Sequence, residues 1–224
     1  MLVAKRCGLT RLVLLGGSSP RIGTKGESLC NCVVHRAFSG VLRSDVTCAQ
    51  CASVSSAYDP FFDLSLSMDK AENDQWTMAA FLDRFTHKEH LTKDERAKCE
   101  KCGTYQDCFK QLSIHSMPNV LCIHFKRFDA LLRSKSTTFV EFPAHGLDVS
   151  PYMSDSSAPS TIYDLFAVVN HHGTLSSGHY TNFCRSGSKW YKFDDAYVSQ
   201  VDEDQVLRSE AYLLFYMRRH LCYD

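Results

Sequence analysis

The stretch Gly178-His-Tyr-Thr-Asn-Phe-Cys-Arg-Ser-Gly-Ser-Lys-Trp-Tyr-Lys-Phe-Asp-Asp195 decides how this 224-residue chain is read. Gly178 to Phe183 and Lys189 to Phe193 are two strand-like runs on either side of Ser186-Gly187-Ser188, the pattern of an antiparallel hairpin. A turn at Ser186-Gly187 sets His179 opposite Asp194, and a turn at Ser186-Gly187-Ser188 sets it opposite Asp195. Directly opposed residues project to one face with Cβ atoms about 5 Å apart, within reach of a carboxylate and an imidazole N–H. A carboxylate so placed fixes the imidazole tautomer and steadies the imidazolium, which is how a general base is oriented toward a nucleophile. A purely structural His–Asp contact satisfies the same spacing. Gly178 suits either a substrate backbone passing close by or the demands of the turn.

Working outward, Tyr163 to Val169 reads as a buried strand, Asn170 to Gly178 as a polar turn bounded by glycine, Glu203 to Glu210 as a short helix and Tyr212 to Met217 as a last apolar strand. Upstream, Tyr105 to Ile114 and Val120 to Phe128 are two strands around Met117-Pro118-Asn119. Both faces of the second are largely apolar, so it is expected at the centre of a sheet, with Lys126-Arg127 marking its emergence into solvent. Leu64 and Leu66 alternate with polar neighbours after the Pro60 bend, predicting a half-buried strand. Met78, Phe81, Leu82 and Phe85 recur at three and four, predicting a helix with Trp76 near its start and Thr86 to His90 ending it. Ser150 to Thr161, rich in Ser, Pro and Asp, is expected as a surface loop. No internal repeat is visible, which excludes solenoids and propellers.

The 11 cysteines are many, but an extracellular disulfide scaffold is normally shorter and carries a signal peptide. Cys48-Ala-Gln-Cys51 and Cys99-Glu-Lys-Cys102 are two Cys-x-x-Cys knuckles. Each places two thiolates on a tight turn about 2.3 Å from a shared ion, and the second pair completes a zinc tetrahedron. The 47 residues between them exceed ordinary zinc-ribbon spacing, so such a metal joins two distant hairpins. Free buried thiols and redox pairs are the competing readings. Cys30-Asn-Cys32-Val-Val-His35 offers three further ligands with no obvious fourth, or a structural histidine beside two plain thiols.

Lys plus Arg number 25 and Asp plus Glu 25, with 44% hydrophobic and 22% charged residues, the composition of an ordinary folded protein. Zero net charge supplies no general field for nucleic acid or anionic lipid. The exception is the start, where Lys5, Arg6, Arg11, Arg21 and Lys25 face Glu27 alone. Residues 1–28 therefore read as a basic leader unrelated to the rest, to be weighed as a disordered segment, a mis-assigned start or an organelle transit peptide. The apolar run Leu12 to Leu15 is too short for a secretory signal, and no stretch of 18 apolar residues predicts a membrane span.

Tyr163-Asp-Leu-Phe-Ala-Val-Val-Asn-His171-His-Gly, Gly178-His179-Tyr180, Trp190-Tyr-Lys-Phe-Asp194-Asp195 and Ala211-Tyr-Leu-Leu-Phe-Tyr216 together resemble the histidine box of the ubiquitin-specific proteases. Cys30-Asn-Cys32-Val-Val-His35, with Phe38-Ser-Gly and Ser44-Asp-Val-Thr-Cys48, is most similar to the branch serving the SAGA transcriptional co-activator. Phe125-Lys-Arg-Phe resembles the end of the family's strand between fingers and palm. The resemblance covers residues 29–220 and implies an α+β fold: a papain-like cysteine-protease palm over about 126–220, β-rich zinc-ribbon fingers over about 40–125, and no N-terminal thumb. It implies a deubiquitinase that hydrolyses the isopeptide bond at the ubiquitin C-terminus. His179 is then the general base, Asp194 its orienting partner and Asp195 a neighbour at the rim. Zinc is expected at Cys48, Cys51, Cys99 and Cys102, and a second zinc at Cys30, Cys32 and His35. The implied partners are ubiquitin, a ubiquitinated protein such as histone, and co-activator subunits, with nucleic acid met only through the nucleosome, no membrane, and a nuclear location.

The family's nucleophile lies in a Gly-Asn-Thr-Cys box upstream of the fingers, and the 224 residues contain no such box. Cys7 lacks that context and stands too close to the first knuckle to leave room for a thumb, while Cys184 and Cys222 do not resemble a nucleophile. The upstream histidine of the second zinc site is also missing. A truncated deubiquitinase and a non-catalytic module for ubiquitin binding or complex assembly are the two expectations that follow.

Overall fold

The computed structural model describes residues 32–68, 76–129, 134–155 and 161–220. The leader expected over 1–28, together with Cys7, Cys30 and Cys222, lies outside the described residues. In chain order the elements are α1 (Val33–Phe38), β1 (Gly40–Cys48), β2 (Val54–Phe61), β3 (Leu64–Ser67), α2 (Met78–Phe85), β4 (Glu89–Leu91), β5 (Ala97–Lys98), β6 (Tyr105–Gln106), β7 (Cys108–Ser116) and β8 (Val120–Lys126). They continue with β9 (Phe128–Asp129), β10 (Ser134–Lys135), β11 (Leu147–Asp148), β12 (Ile162–Gly173), β13 (Gly178–Ser186), β14 (Lys189–Asp194), β15 (Tyr197–Val201), α3 (Glu203–Leu207) and β16 (Ala211–Arg218).

Two sheets carry the fold. The fingers are a four-stranded antiparallel sheet in the order β2-β1-β7-β4, with the β5–β6 hairpin beyond it. The palm is a larger sheet ordered β15-β14-β13-β12-β16-β8-β3, β11 lying beside β12; among the described residues its β3–β8 pair is parallel and its other pairs are antiparallel. This is the α+β palm-and-fingers layout expected. The two sheets interleave along the chain, since β3 and β8 belong to the palm while β1, β2, β4 and β7 belong to the fingers. The link is Met117-Pro118-Asn119, where the Tyr163 hydroxyl donates to the Pro118 carbonyl and the Arg218 N–H to that of Asn119 at 2.9 Å.

The expected central strand is β8, with Leu121, Ile123 and Phe125 fully buried. The expected helix is α2. The Thr77 hydroxyl caps it by accepting from the Ala80 N–H at 3.3 Å, and Phe81 stacks edge-on against Phe125 at 5.5 Å. Burying Met78, Phe81 and Leu82 contributes roughly 1.5–3 kcal/mol per side chain, far more than the intrinsic propensity of eight residues.

Four local expectations differ from the structure. Pro60 makes no bend before a strand; it lies inside β2, an edge strand, where a residue without an N–H leaves no ladder bond unmade. The turn expected from Asn170 is shorter: β12 runs on to Gly173 and only Thr174–Ser177 turn. Asn170 and His171 are polar yet 3% and 4% exposed, so burial overrode the polar pattern. β15 went unanticipated because Tyr197 to Gln200 is exposed and only Val201, at its end, packs against the core. Finally, Lys126 does emerge, but Arg127 is 2% exposed. Its Nε donates to the Ala211 carbonyl at 2.7 Å, and Nη1 to those of Thr138 at 2.7 Å and Ser136 at 3.2 Å. Burial lowers its pKa. The guanidinium fork ties the end of β8 to the start of β16, which an exposed residue could not do.

Candidate active site and candidate metal centre

The hairpin β13–β14 closes with Ser186 opposite Lys189, a two-residue turn at Gly187-Ser188 with Gly187 at φ 61°. Asn182 pairs with Phe193, so the register is offset from both expected settings, and continuing it puts Thr181, not His179, opposite Asp194. His179 meets Asp194 as the diagonal neighbour two residues along on the same face, which long side chains also bridge. The contact is close: His179 Nε2 lies 2.6 Å from Asp194 Oδ1, and Lys192 Nζ donates to Asp194 Oδ2 at 3.1 Å. Lys192 was not anticipated, although its position two residues before Asp194 on one strand puts both side chains on one face.

The electrostatics match the geometry. The hydrogen bond to Asp194 raises the pKa of His179 above its ordinary value, with burial opposing it and the Asp194 and Asp195 charges adding to it. The bonds from His179 and Lys192 lower the Asp194 pKa. Asp194 thus steadies the imidazolium whenever it forms, with Nε2 committed to Asp194 and Nδ1 left for a reacting group. Asp195 stands in the tight turn to β15 at φ 52°, exposed, with its carboxylate in the same cluster as His179 and Asp194, all within 4.8 Å.

Gly178 has a definite structural reason. A Cβ there would lie 2.0 Å from Nε2 of His171 and 2.8 Å from the His172 carbonyl oxygen. His171 pairs with Tyr180 across β12 and β13 and packs among Phe128, Tyr180 and Tyr212. Beneath it, Lys135 Nζ donates to the His171 carbonyl and to Glu210, each at 2.5 Å. This support for the histidine turn was not read from the sequence, because Lys135 and Glu210 are far apart in the chain.

None of the described thiols reaches His179. Cys184 shares β13 but lies five residues along, about 17 Å at 3.4 Å per residue and on the opposite face. Cys122 lies on β8, three strands away from β13, on the order of 14 Å at 4.8 Å per strand.

At the tip of the fingers, the two knuckles are near copies. Cys48 N donates to Ser53 O at 2.9 Å and Ala52 N to Cys48 O at 3.0 Å; Cys99 N donates to Thr104 O at 3.0 Å and Gly103 N to Cys99 O at 2.8 Å. Both turn through a left-handed residue, Ala52 at φ 56° and Gly103 at φ 73°. Their four sulfurs converge within 4.8 Å of one another, Cys51 3.6 Å from Cys99 and Cys48 4.0 Å from Cys102. Tetrahedral thiolates about 2.3 Å from one ion stand about 3.8 Å apart, so the set fits such an ion. The thiols cannot ionise together without a cation. Cys99 is drawn down to about 7, chiefly by the Cys102 N–H on its sulfur, whereas Cys102 is pushed up to about 12, chiefly by its bond with Cys51. Of the second expected group, Cys32 Sγ and His35 Nδ1 are 3.1 Å apart across the first turn of α1, while Cys30 lies outside the described residues.

The sequence matches the family described as ubiquitin carboxyl-terminal hydrolase over residues 13–216. It is 40% identical over 234 aligned positions to the human ubiquitin carboxyl-terminal hydrolase 22, covering 87% of this chain and 44% of that protein. With the Arabidopsis thaliana ubiquitin C-terminal hydrolase 22 it shares 36% identity, covering 84% and 42%. The chain thus spans less than half the length of these relatives. Among solved structures, the SAGA Ubp8/Sgf11/Sus1/Sgf73 DUB module bound to ubiquitin aldehyde superposes with a TM-score of 0.75 at 38% identity, covering 86% of this chain and 44% of that one. The same module bound to monoubiquitin gives 0.76 at 40% identity, covering 86% and 43%. A histidine box with its bonded aspartate, a four-cysteine finger tip and a family match over nearly the whole sequence agree: this chain belongs to the ubiquitin carboxyl-terminal hydrolase family.

Proposed function

We infer that this chain supplies the fingers, palm and general-base half of a cysteine-type deubiquitinase. The observation that carries the reading is the 2.6 Å bond from His179 Nε2 to Asp194, which leaves Nδ1 to take a proton from a thiol. In the reaction so assigned, His179 takes the thiol proton and passes it to the leaving amine as the C–N bond breaks and a thioester forms, then takes a proton from the water that hydrolyses the thioester and returns it to the departing thiolate. Asp194 holds the imidazolium, and Asp195 adds negative charge at the rim. The nucleophile belongs to a Gly-Asn-Thr-Cys box that these 224 residues do not contain.

Cys48, Cys51, Cys99 and Cys102 hold a structural zinc, which bonds the β1–β2 hairpin to the β5–β6 hairpin and takes no part in hydrolysis. Cys30, Cys32 and His35 contribute to a second zinc. Fingers and palm are assigned to 29–220 and a basic leader to 1–28, although the family match begins within that leader, at residue 13. By analogy with the SAGA DUB modules, which carry ubiquitin and the subunits Sgf11, Sus1 and Sgf73, the partners are ubiquitin, ubiquitinated histone and co-activator subunits in the nucleus.

The test uses two proteins: this chain, and a form extended with a relative's cysteine-bearing N-terminal half. The first binds ubiquitin but neither hydrolyses a ubiquitin amide nor labels with an electrophilic ubiquitin probe. The second hydrolyses, and His179→Ala abolishes turnover. An extended, folded form without activity refutes the deubiquitinase reading, and labelling of the short chain refutes the placement of the nucleophile.

A further inference from the structure

The outer edge of the palm sheet is the five-residue strand β15, and among the described residues no strand pairs with it on its far side. Edge strands are templates for another chain, and proteins normally blunt them with lysine, proline, bulges or shortness. The finger sheet does so. β2 ends in Asp59-Pro60-Phe61 and β4 is three residues long, next to Lys88. β15 reads Tyr-Val-Ser-Gln-Val, with no charge and no proline, and its register to β14 runs unbroken from Asp194↔Tyr197 to Trp190↔Val201.

Because a two-residue turn joins the strands, the pairs Asp194↔Tyr197, Lys192↔Ser199 and Trp190↔Val201 exchange the ladder bonds. The N–H and C=O groups of Val198 and Gln200 therefore point outward. Tyr197 is 83% exposed and Val198 56%, unusual for such side chains on a strand with nothing to meet. The charge along the edge segment itself is one-sided. From residue 194 to 204 the chain carries Asp194, Asp195, Asp202, Glu203 and Asp204 and no Lys, Arg or His, in a protein of zero net charge. Asp194 is offset by Lys192 and His179, Glu203 by His145 at 3.2 Å and Asp204 by Arg208 at 3.7 Å, but Asp195 and Asp202 are exposed, one at each end of the strand.

We propose that β15 is a strand-addition site for a basic, extended segment of the acceptor protein, the stretch flanking its ubiquitin-bearing lysine. The placement follows from the His179–Asp194 bond: Asp194 pairs with Tyr197, so one end of the edge abuts the general base and the rest leads about 17 Å away from it, room for about five residues in strand conformation. Backbone bonds to Val198 and Gln200 supply sequence-tolerant affinity, Tyr197 packs against alternate side chains, and the acids at either end select for Lys and Arg. This rests on the deubiquitinase reading for the identity of the acceptor, and not for the edge itself.

The experiment measures binding of the full 224-residue chain to a short fluorescein-labelled extended peptide with Lys or Arg at alternate positions, by fluorescence anisotropy. A matched peptide with Gln in place of those residues is the control. Amide exchange locates the contact, and ubiquitin binding is measured in parallel on the same preparation. The basic peptide binds, protects the amides of Val198 and Gln200, and weakens with added salt. Val198→Pro removes one outward N–H and no β14 ladder donor, and Gln200→Lys adds the missing guard charge. Each weakens peptide binding about tenfold or more while ubiquitin affinity and the His179 titration stay at wild-type values. Equal binding by wild type and both variants, equal binding of the Gln peptide, or protection elsewhere overturns the proposal, as does a concentration-dependent dimer that Val198→Pro abolishes, since the occupant is then a second copy. Peptide binding without ubiquitin binding refutes the deubiquitinase reading and leaves the edge site standing; ubiquitin binding without peptide binding does the reverse.

Discussion

Replacing Gly178 by alanine tests whether the residue before His179 is small for the sake of a substrate or of the fold. The backbone at Gly178 is open to an L residue, since it does not sit at positive φ. Alanine in a strand is otherwise favoured over glycine by roughly 0.5–1 kcal/mol, so an unobstructed site predicts a gain. The structure predicts the opposite sign. The new methyl would stand 2.0 Å from His171 Nε2, against an ordinary contact of about 3.5 Å, so ring and strand must part by about 1.5 Å. His171 is 4% exposed and is backed by Phe128 at 5.3 Å and Tyr180 at 4.7 Å, so the strain passes to β13 and to His179.

Overpacking of this kind costs about 1–3 kcal/mol, a fall in Tm of about 2–12 °C for a chain of this size. The assay is thermal unfolding of the metal-loaded protein, with the NMR titration of His179 as a local probe, whose raised pKa falls as its bond to Asp194 is stretched. The same substitution in a His171→Ala background meets no ring, so its penalty shrinks and the two changes couple. A Gly178→Ala protein as stable as wild type, or a penalty undiminished when His171 is gone, refutes the reasoning.

Three further outcomes are expected. The purified chain carries at least one equivalent of zinc, and Cys48→Ser or Cys99→Ser loses it together with exchange protection over residues 44–110, because structural zinc supplies folding free energy directly. Cys108→Ser, whose buried Sγ donates only to the Gln106 carbonyl, retains the metal, so wild-type protection in metal-free protein defeats this assignment. In the knuckles, Ala52→Gly stabilises by about 1 kcal/mol and Gly103→Ala destabilises by about the same amount, since left-handed φ penalises a Cβ and nothing lies within 4 Å of the Gly103 position; denaturant midpoints with unchanged slopes check the pair. With the His179 pKa raised in the folded state, the stabilisation from its ion pair is complete below the ordinary value of 6.5 and disappears as pH climbs through the higher folded value. Asp194→Asn brings the His179 midpoint back toward 6.5 by NMR, and a wild-type midpoint at or below 6.5 contradicts the pairing.

The residue pattern by itself established the family's histidine box, the two knuckles, the helix carrying Met78, Phe81, Leu82 and Phe85, and the central strand, read as Val120 to Phe128 and ending at Lys126. These are short-range signals, in which spacing of two, three or four residues maps directly onto strand, turn or helix geometry. It also set His179 against Asp194 or Asp195, the resemblance choosing Asp194, but by the wrong register, because the hairpin is set by the Gly187-Ser188 turn and the contact is diagonal. Only the tertiary structure decided the rest. Arg127 is buried because the Ala211, Ser136 and Thr138 carbonyls converge on it from distant segments. The Cys99 turn reaches the Cys48 turn because β7 pairs with β1. Gly178 is needed because the His171 ring fills its Cβ position, and β15 forms on backbone pairing with only Val201 packed against the core, too little apolar periodicity to announce it. Each of these depends on which strands become neighbours, and that is chosen by burial of the whole core, not by residues adjacent in the chain.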